Sequence, residues 1–289
     1  MEQKKLVIIL ADISGYTQFM LDNREAAVHG QLCVNALIES LLAQVDIPLV
    51  LQEIEGDAVF LYATDPGTAD GWRDVVEQVS RKLGKFFDAF IAQMGVGIES
   101  TPCGCAICRN ADKLGLKIIV HAGEAMFHEV GSRAQVSGPD VIMAHRLLKN
   151  SLKSKEYLLL TEQAYALMRA HLPGQFTHHR EDYEGFETLN LRVRFLEEDF
   201  LHGRDAVYAM NDSELRAAVN GYADWASGHE LLRAMLQQWR QPIRDFGWFE
   251  KALMVYDLLK RKVLSPFYRH AIPNRQRARG KRREFAAPR

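Results

Sequence analysis

Long hydrophobic runs are missing from this chain of 289 residues. No stretch approaches the roughly 20 apolar residues that a membrane-crossing helix needs. Cysteine is scarce as well. Of the four present, Cys103, Cys105 and Cys108 crowd into the segment CGCAIC, and Cys33 stands alone. That distribution excludes the disulfide framework of a small secreted domain. The opening MEQKK leads into a short strand-like run, without the long apolar region and cleavage site of a secretory signal. The expectation is a cytoplasmic protein. Net charge is nearly absent too, at −1, but the balance conceals an asymmetry. From Lys260 to Arg289 there are eleven Lys or Arg and a single acid, Glu284, so the preceding chain is acidic and the tail strongly basic. Such a tail is expected to lack fixed structure or to have its own partner, with an anionic membrane or a nucleic acid as candidates.

What is present suits a buried core: 47% of the residues are hydrophobic. This predicts one large domain, or a domain with an extension. Lys5 to Ala11 reads as a buried strand. Val34, Leu37, Ile38, Leu41, Leu42 and Val45 recur at helical spacing. LVLQEIE and AVFLYA form two strands around a tight turn at Gly56-Asp57. Val75, Val79, Leu83, Phe86, Phe87, Phe90, Ile91 and Met94 stripe a second long helix. Leu116–His121 and Glu124–Val130 read as a strand pair broken at Gly123. Val141 to Leu148 suggests a third helix. A strand at Tyr157–Leu160, a helix at Glu162–Ala170 and a strand at Leu189–Leu196 follow. The order β-α-β-β-α-β predicts an α+β fold of the ferredoxin-like, split-βαβ kind over residues 1–200. Residues 201–289 are read as a helical extension ending in the basic tail. Aromatic residues between Phe246 and Tyr256 lie just before its first lysines.

The stretch ADISGYTQFM places a carboxylate, Asp12, at the end of the first strand, with Ser14, Gly15 and Thr17 close behind. Two readings stand: a metal ligand held against a phosphate, or a strand end whose Asp and Ser cap the next helix. Asp57 is a turn residue or a second ligand. In a split-βαβ sheet both acids can reach one edge, where hard oxygen ligands suit Mg²⁺ or Mn²⁺. CGCAIC offers three thiolates at a spacing that suits a structural Zn²⁺. The alternatives there are a redox pair, Cys105 with Cys108, and a reduced cysteine-rich loop. His121 is expected to be a packed strand residue.

Four segments in order, ADISGYT, EIEGDAVFLY, LKIIVHAGEAMFHEVGS and VSGPDVIMAHRLLKNS, resemble the class III nucleotide cyclase family. The resemblance covers about residues 4–200, and with the CGCAIC insert it points to a divergent bacterial subfamily. It implies a homodimer with sites at the subunit interface, two divalent metal ions, and ATP or GTP converted to a cyclic monophosphate. It implies that Asp12, Asp57 and the Ile13 carbonyl hold metal, that the turn Ser14-Gly15-Tyr16-Thr17 faces the phosphates, that Arg146 neutralises phosphate charge, and that Glu53 reads the base. Glutamate at that position suits guanine, and its usual partner falls near Gln135. Two positions depart from the family pattern. Ile142 stands where an asparagine is implied, one turn before Arg146, and Phe186 stands where a second phosphate-binding lysine is implied. The resemblance therefore yields two expectations: a metal- and nucleotide-binding protein with weak cyclase turnover, or an inactive regulatory module that keeps the fold.

Overall fold

The computed structural model describes residues 2–24, 27–100, 107 and 110–196. The expected extension at 201–289, its basic tail, the boundary at residue 200 and the cysteines Cys103, Cys105 and Cys108 all lie outside the described residues.

Strand β1 (Glu2–Ser14) leads through α1 (Tyr16–Asp22) and α2 (Ala27–Leu42) to the hairpin β2 (Val50–Glu55) and β3 (Ala58–Thr64). Helix α3 (Ala69–Ser100) then precedes β4 (Gly115–Val130), β5 (Arg133–Ser137) and α4 (Pro139–Leu147). The described chain closes with β6 (Tyr157–Thr161), α5 (Glu162–Met168), β7 (Thr177–Glu181) and β8 (Leu189–Phe195). The sheet runs β2-β3-β1-β4-β6-β8-β7, with β5 paired to β4. Strand β3 lies antiparallel between β2 and β1, and β1 lies antiparallel between β3 and β4. Each βαβ crossover thus brackets a strand of the other, which is the split-βαβ topology expected from the sequence.

Both faces of β1 are covered, which is why its centre reads as an unbroken apolar run. Val7, Ile9, Ala11 and Ile13 join the core beneath α1, α2, α3 and α5. Leu6, Ile8 and Leu10 join a second core beneath α4, with Ile119, Tyr157 and Leu159. The first core is dominated by the α3 stripe, whose Phe86 and Phe90 are fully buried. Cys33 packs, partly buried, against the same core. A residue two places on from Leu10 keeps its face, so Asp12, near the end of β1, lies on the α4 side. A one-residue slip would exchange Asp12 with an apolar neighbour, and thirteen pairs with β4, from Glu2–Phe127 to Ser14–Gly115, hold the register against it.

The strand pair expected to break at Gly123 is one continuous strand, β4. The chain turns instead at Gly131, where φ is +64°. Gly123 has a different purpose: a Cβ there would collide with the Asp140 carboxylate. The sequence reading also lacked α1, β5 and β7. These elements are short, and β5 and β7 are mostly polar.

Candidate functional site

The α4 face of the sheet gathers charge at the end of β1. Asp12 faces Ala58 of β3 on one side and Lys117 of β4 on the other. The Lys117 ammonium lies 3.0 Å from Asp12 Oδ2 and also donates to the Leu148 carbonyl at 3.0 Å. Both side chains are mostly buried, with 15% of Asp12 and 19% of Lys117 exposed. Asp57 precedes β3 in the turn opened by Gly56, whose φ is +66°. The Ile13 N–H donates to the Asp57 carbonyl at 3.1 Å, tying the turn to the end of β1. Burial and then the negative charge of Asp12 push the Asp57 carboxyl up to about 6, against a weaker downward pull from Lys117. Two carboxylates close enough to interact, answered by a single ammonium, leave a surplus of negative charge.

The turn after β1 is built around Gly15. Its φ is +87°, and a Cβ would stand 2.9 Å from the Lys113 carbonyl, so both conformation and space require glycine. Ser14 is buried, Tyr16 donates to Gln31 at 3.0 Å, and Thr17 is exposed. Lys155 reaches the same corner, donating to the Lys113 carbonyl at 3.0 Å.

Helix α4 buries Val141, Ala144 and Leu147 and turns Ile142 and Arg146 outward. Four residues apart, these two share one exposed face. Among the described residues, Arg146 forms no ion pair. Side-chain contacts hold both ends of the helix. At the start, Asp140 Oδ2 accepts from the Glu124 N–H at 2.7 Å. Its other oxygen lies 3.1 Å from Nε2 of buried His121, off the axis of a well-aligned hydrogen bond. The His121 contact, opposed by burial and helped by the Glu124 N–H, holds the Asp140 carboxyl below its ordinary range. His121 Nδ1 meets Thr161 Oγ1 at 3.0 Å. The packed histidine expected from sequence is therefore also an anchor for α4. At the other end, Lys117 holds the Leu148 carbonyl, and Asn150 donates to the Leu147 carbonyl and to the Tyr157 hydroxyl at 2.7 and 2.8 Å. Burial raises the Tyr157 hydroxyl to about 12, so it stays protonated. Beyond it, Glu181 accepts from the Ser151 N–H and hydroxyl and meets His179 Nε2, all at 2.6 Å. His179 and Glu181, two residues apart on β7, share one of its faces.

The remaining expected residues lie elsewhere. Glu53 is exposed on the edge strand β2. Its neighbour Gln52 donates to the Ala134 carbonyl of β5 at 3.1 Å, beside Gln135. Phe186 is half-buried in the turn between β7 and β8, where its N–H donates to the Tyr183 carbonyl. Glu55, two residues before Asp57, meets His145 of α4 at 3.1 Å.

Lys117 was missed in the sequence reading, although a signal existed. A lysine inside LKIIV, in phase with Ile119, points into a covered face, and a charge so placed requires a partner. Among the described residues, no group of three or more His, Cys, Asp or Glu is placed to share a metal ion. The oxygens of Asp12 and Asp57 are of the kind a hard cation takes, and with only two protein carboxylates the rest of such a shell would have to come from phosphate and water, the manner in which Mg²⁺ is commonly held.

A family model described as a protein of unknown function (DUF2652) matches residues 34–157. An uncharacterised protein of Mycobacterium tuberculosis, Rv2561/Rv2562, is 29% identical over 135 residues, which are 47% of this chain and 60% of that relative's length. Among solved structures, the adenylyl cyclase CyaB from P. aeruginosa is similar at 17% identity and a TM-score of 0.47, covering 67% of this chain and 95% of that one. A class III adenylyl cyclase-like ATP-binding protein from Pseudomonas aeruginosa matches at 20% identity and a TM-score of 0.44, over 57% of this chain and 35% of that one. Among the described residues, no helix is long and apolar enough to cross a membrane.

Proposed function

We propose that this chain is a divergent nucleotide cyclase-like protein that binds Mg²⁺ or Mn²⁺ and a nucleoside triphosphate, ATP or GTP, at a homodimer interface, with weak cyclase turnover. The observation that carries this reading is the placement of Asp12 and Asp57 side by side, with Asp12 paired to Ala58 and the Asp57 carbonyl tied to the Ile13 N–H; burial and then the charge of Asp12 make Asp57 harder to ionise, and two such carboxylates favour a cation. When bound there, a divalent ion supplies positive charge to phosphate oxygens and acidifies an attacking hydroxyl. In this reading the chain's own groups divide the remaining work. Asp12 and Asp57 hold the ion, with the Ile13 carbonyl as the third ligand implied by the sequence resemblance. The Ser14–Thr17 turn receives phosphate, and Gly15 keeps side-chain atoms out of its path. Arg146, exposed on α4, neutralises phosphate charge across a dimer interface. Glu53 accepts from a guanine edge. Val50, Leu51 and Ile54 expose apolar surface along the edge strand β2, which supports a partner subunit there.

Ile142 favours a second reading. The residue is 53% exposed beside Arg146, and its side chain offers no hydrogen bond. A domain that keeps the fold and has lost turnover, acting as a regulatory or interaction module, fits that position. The test joins binding to turnover. Mn²⁺ with GTP or ATP is expected to raise the melting temperature of the full chain, since a ligand of the native state stabilises it by mass action. Asp12→Ala and Asp57→Ala should each abolish the shift. Cyclic product from the wild type selects the first reading, whereas nucleotide binding without product selects the second. A melting shift that survives in both aspartate variants overturns the site.

A further inference from the structure

We propose that the Lys117 ammonium is a tethered counter-ion of the Asp12–Asp57 pair, which a divalent cation must displace from Asp12, so that Lys117 sets the metal affinity of this site. The inference rests on the metal-site reading above.

Three observations carry it. Lys117 is fixed opposite Asp12 by the β1–β4 register, so the pairing follows from the backbone and not from a chance rotamer. The ammonium is 3.0 Å from Asp12 Oδ2, on a side chain only 19% exposed. Its second hydrogen bond, to the Leu148 carbonyl, holds it in place from the far side. A cation so held already occupies one oxygen of the first ligand. It also lowers the negative potential that Asp57 feels.

An entering ion therefore meets repulsion from a unit positive charge a few ångströms away and must compete for Oδ2. Interactions between charges at such range are strong wherever water is partly excluded. The ammonium can swing toward solvent, because part of the side chain is exposed, so the site is weakened toward metal and not closed to it. The displaced lysine would also release the Leu148 carbonyl, just past the helix that bears Arg146. Metal entry at one carboxylate pair is thereby linked to the end of α4.

Mn²⁺ alone, without nucleotide, is the probe, with free ion counted by electron paramagnetic resonance against the full-length chain. Lys117→Met removes the charge and keeps the length, and Lys117→Gln also keeps a donor for Leu148. Both should bind Mn²⁺ about tenfold or more tightly than wild type. Lys117→Arg keeps the charge and should stay within a few-fold of wild type. Circular dichroism establishes that each variant folds. If wild type binds Mn²⁺ and the folded Met and Gln variants bind it equally or more weakly, Lys117 is no competitor and the inference is overturned while the metal site stands. If neither wild type nor any folded variant binds Mn²⁺, alone or with added GTP or ATP, the carboxylate pair is not a metal site and both readings fall.

Discussion

Replacing Asp57 by asparagine should make the metal-free protein more stable at neutral pH. The Asp57 carboxyl is raised from an ordinary 3.8 to about 6, chiefly by burial and then by the charge of Asp12. A carboxyl raised in the folded state binds more protons there than in the unfolded chain. Its contribution to stability is complete below about pH 4 and is lost as pH rises through about 6. At pH 7.5 the ionised group therefore burdens the fold. The full shift corresponds to at most about 3 kcal/mol. The side chain is only half buried, so solvent screening reduces this to about 1–2 kcal/mol. An asparagine side chain at this position has nearly the same shape and no charge. Urea unfolding with a chelator present, at pH 4.5 and at pH 7.5, measures the difference. Asp57→Asn should exceed wild type by about 1–2 kcal/mol at pH 7.5, and the gap should shrink toward zero at pH 4.5. Mn²⁺ should reverse the order at pH 7.5, because only wild type retains both carboxylates. A variant less stable than wild type at pH 7.5, or a gap that does not change with pH, refutes the account of Asp57 as a carboxylate kept at the expense of stability.

Gly123→Ala should destabilise the fold by about 1–3 kcal/mol in urea unfolding, since the added methyl displaces Asp140 from both the Glu124 N–H and His121. Asp140→Ala combined with Gly123→Ala should recover part of that loss if the clash is the cause. Ile142→Asn should raise or create cyclase activity with little change in nucleotide affinity, because the restored amide would meet charge that develops only in the transition state. The gain in a cyclization assay is bounded at roughly 10²–10³ in rate, and Phe186 holds it below that bound. Inactivity of wild type, Ile142→Asn and Ile142→Asn/Phe186→Lys, with binding intact, gives the regulatory reading first place.

Periodicity was a reliable guide where burial was two-sided or continuous. The α3 stripe from Val79 to Met94 and the run around Ile8 each have one satisfactory burial pattern, so element type and face followed from spacing. Prediction failed where local chemistry mimics a break. Gly123 looks like a turn, yet its missing Cβ serves Asp140, many residues later, a contact no local rule contains. Asp12 and Asp57 were legible as candidates because one lies near the end of a strand and the other just before the start of one. Their shared environment was not, since it depends on Lys117 from a distant strand and on the bond that ties the Asp57 turn to Ile13. His179, Glu181 and Ser151 meet only after β7 and the segment following α4 are brought side by side.

Helix α4 has nine residues, too few to be stable on its own in water. Its position is consequently set by what it touches. Val141, Ala144 and Leu147 bury one side, Asp140 fastens the start to His121 and Glu124, and Lys117 and Asn150 fasten the chain at its end. None of these anchoring contacts involves the side chains of Ile142 and Arg146. Both project from the exposed face. An exposed isoleucine gains little from packing in the monomer, so its presence one turn before an exposed arginine bears on what this face meets. In an active cyclase-like dimer that neighbour is phosphate, and isoleucine is a defect. In a regulatory module it is protein, and isoleucine is a contact. Ile142→Asn separates the two: it strengthens turnover in the first case, and in the second it weakens self-association while nucleotide binding stays as it was.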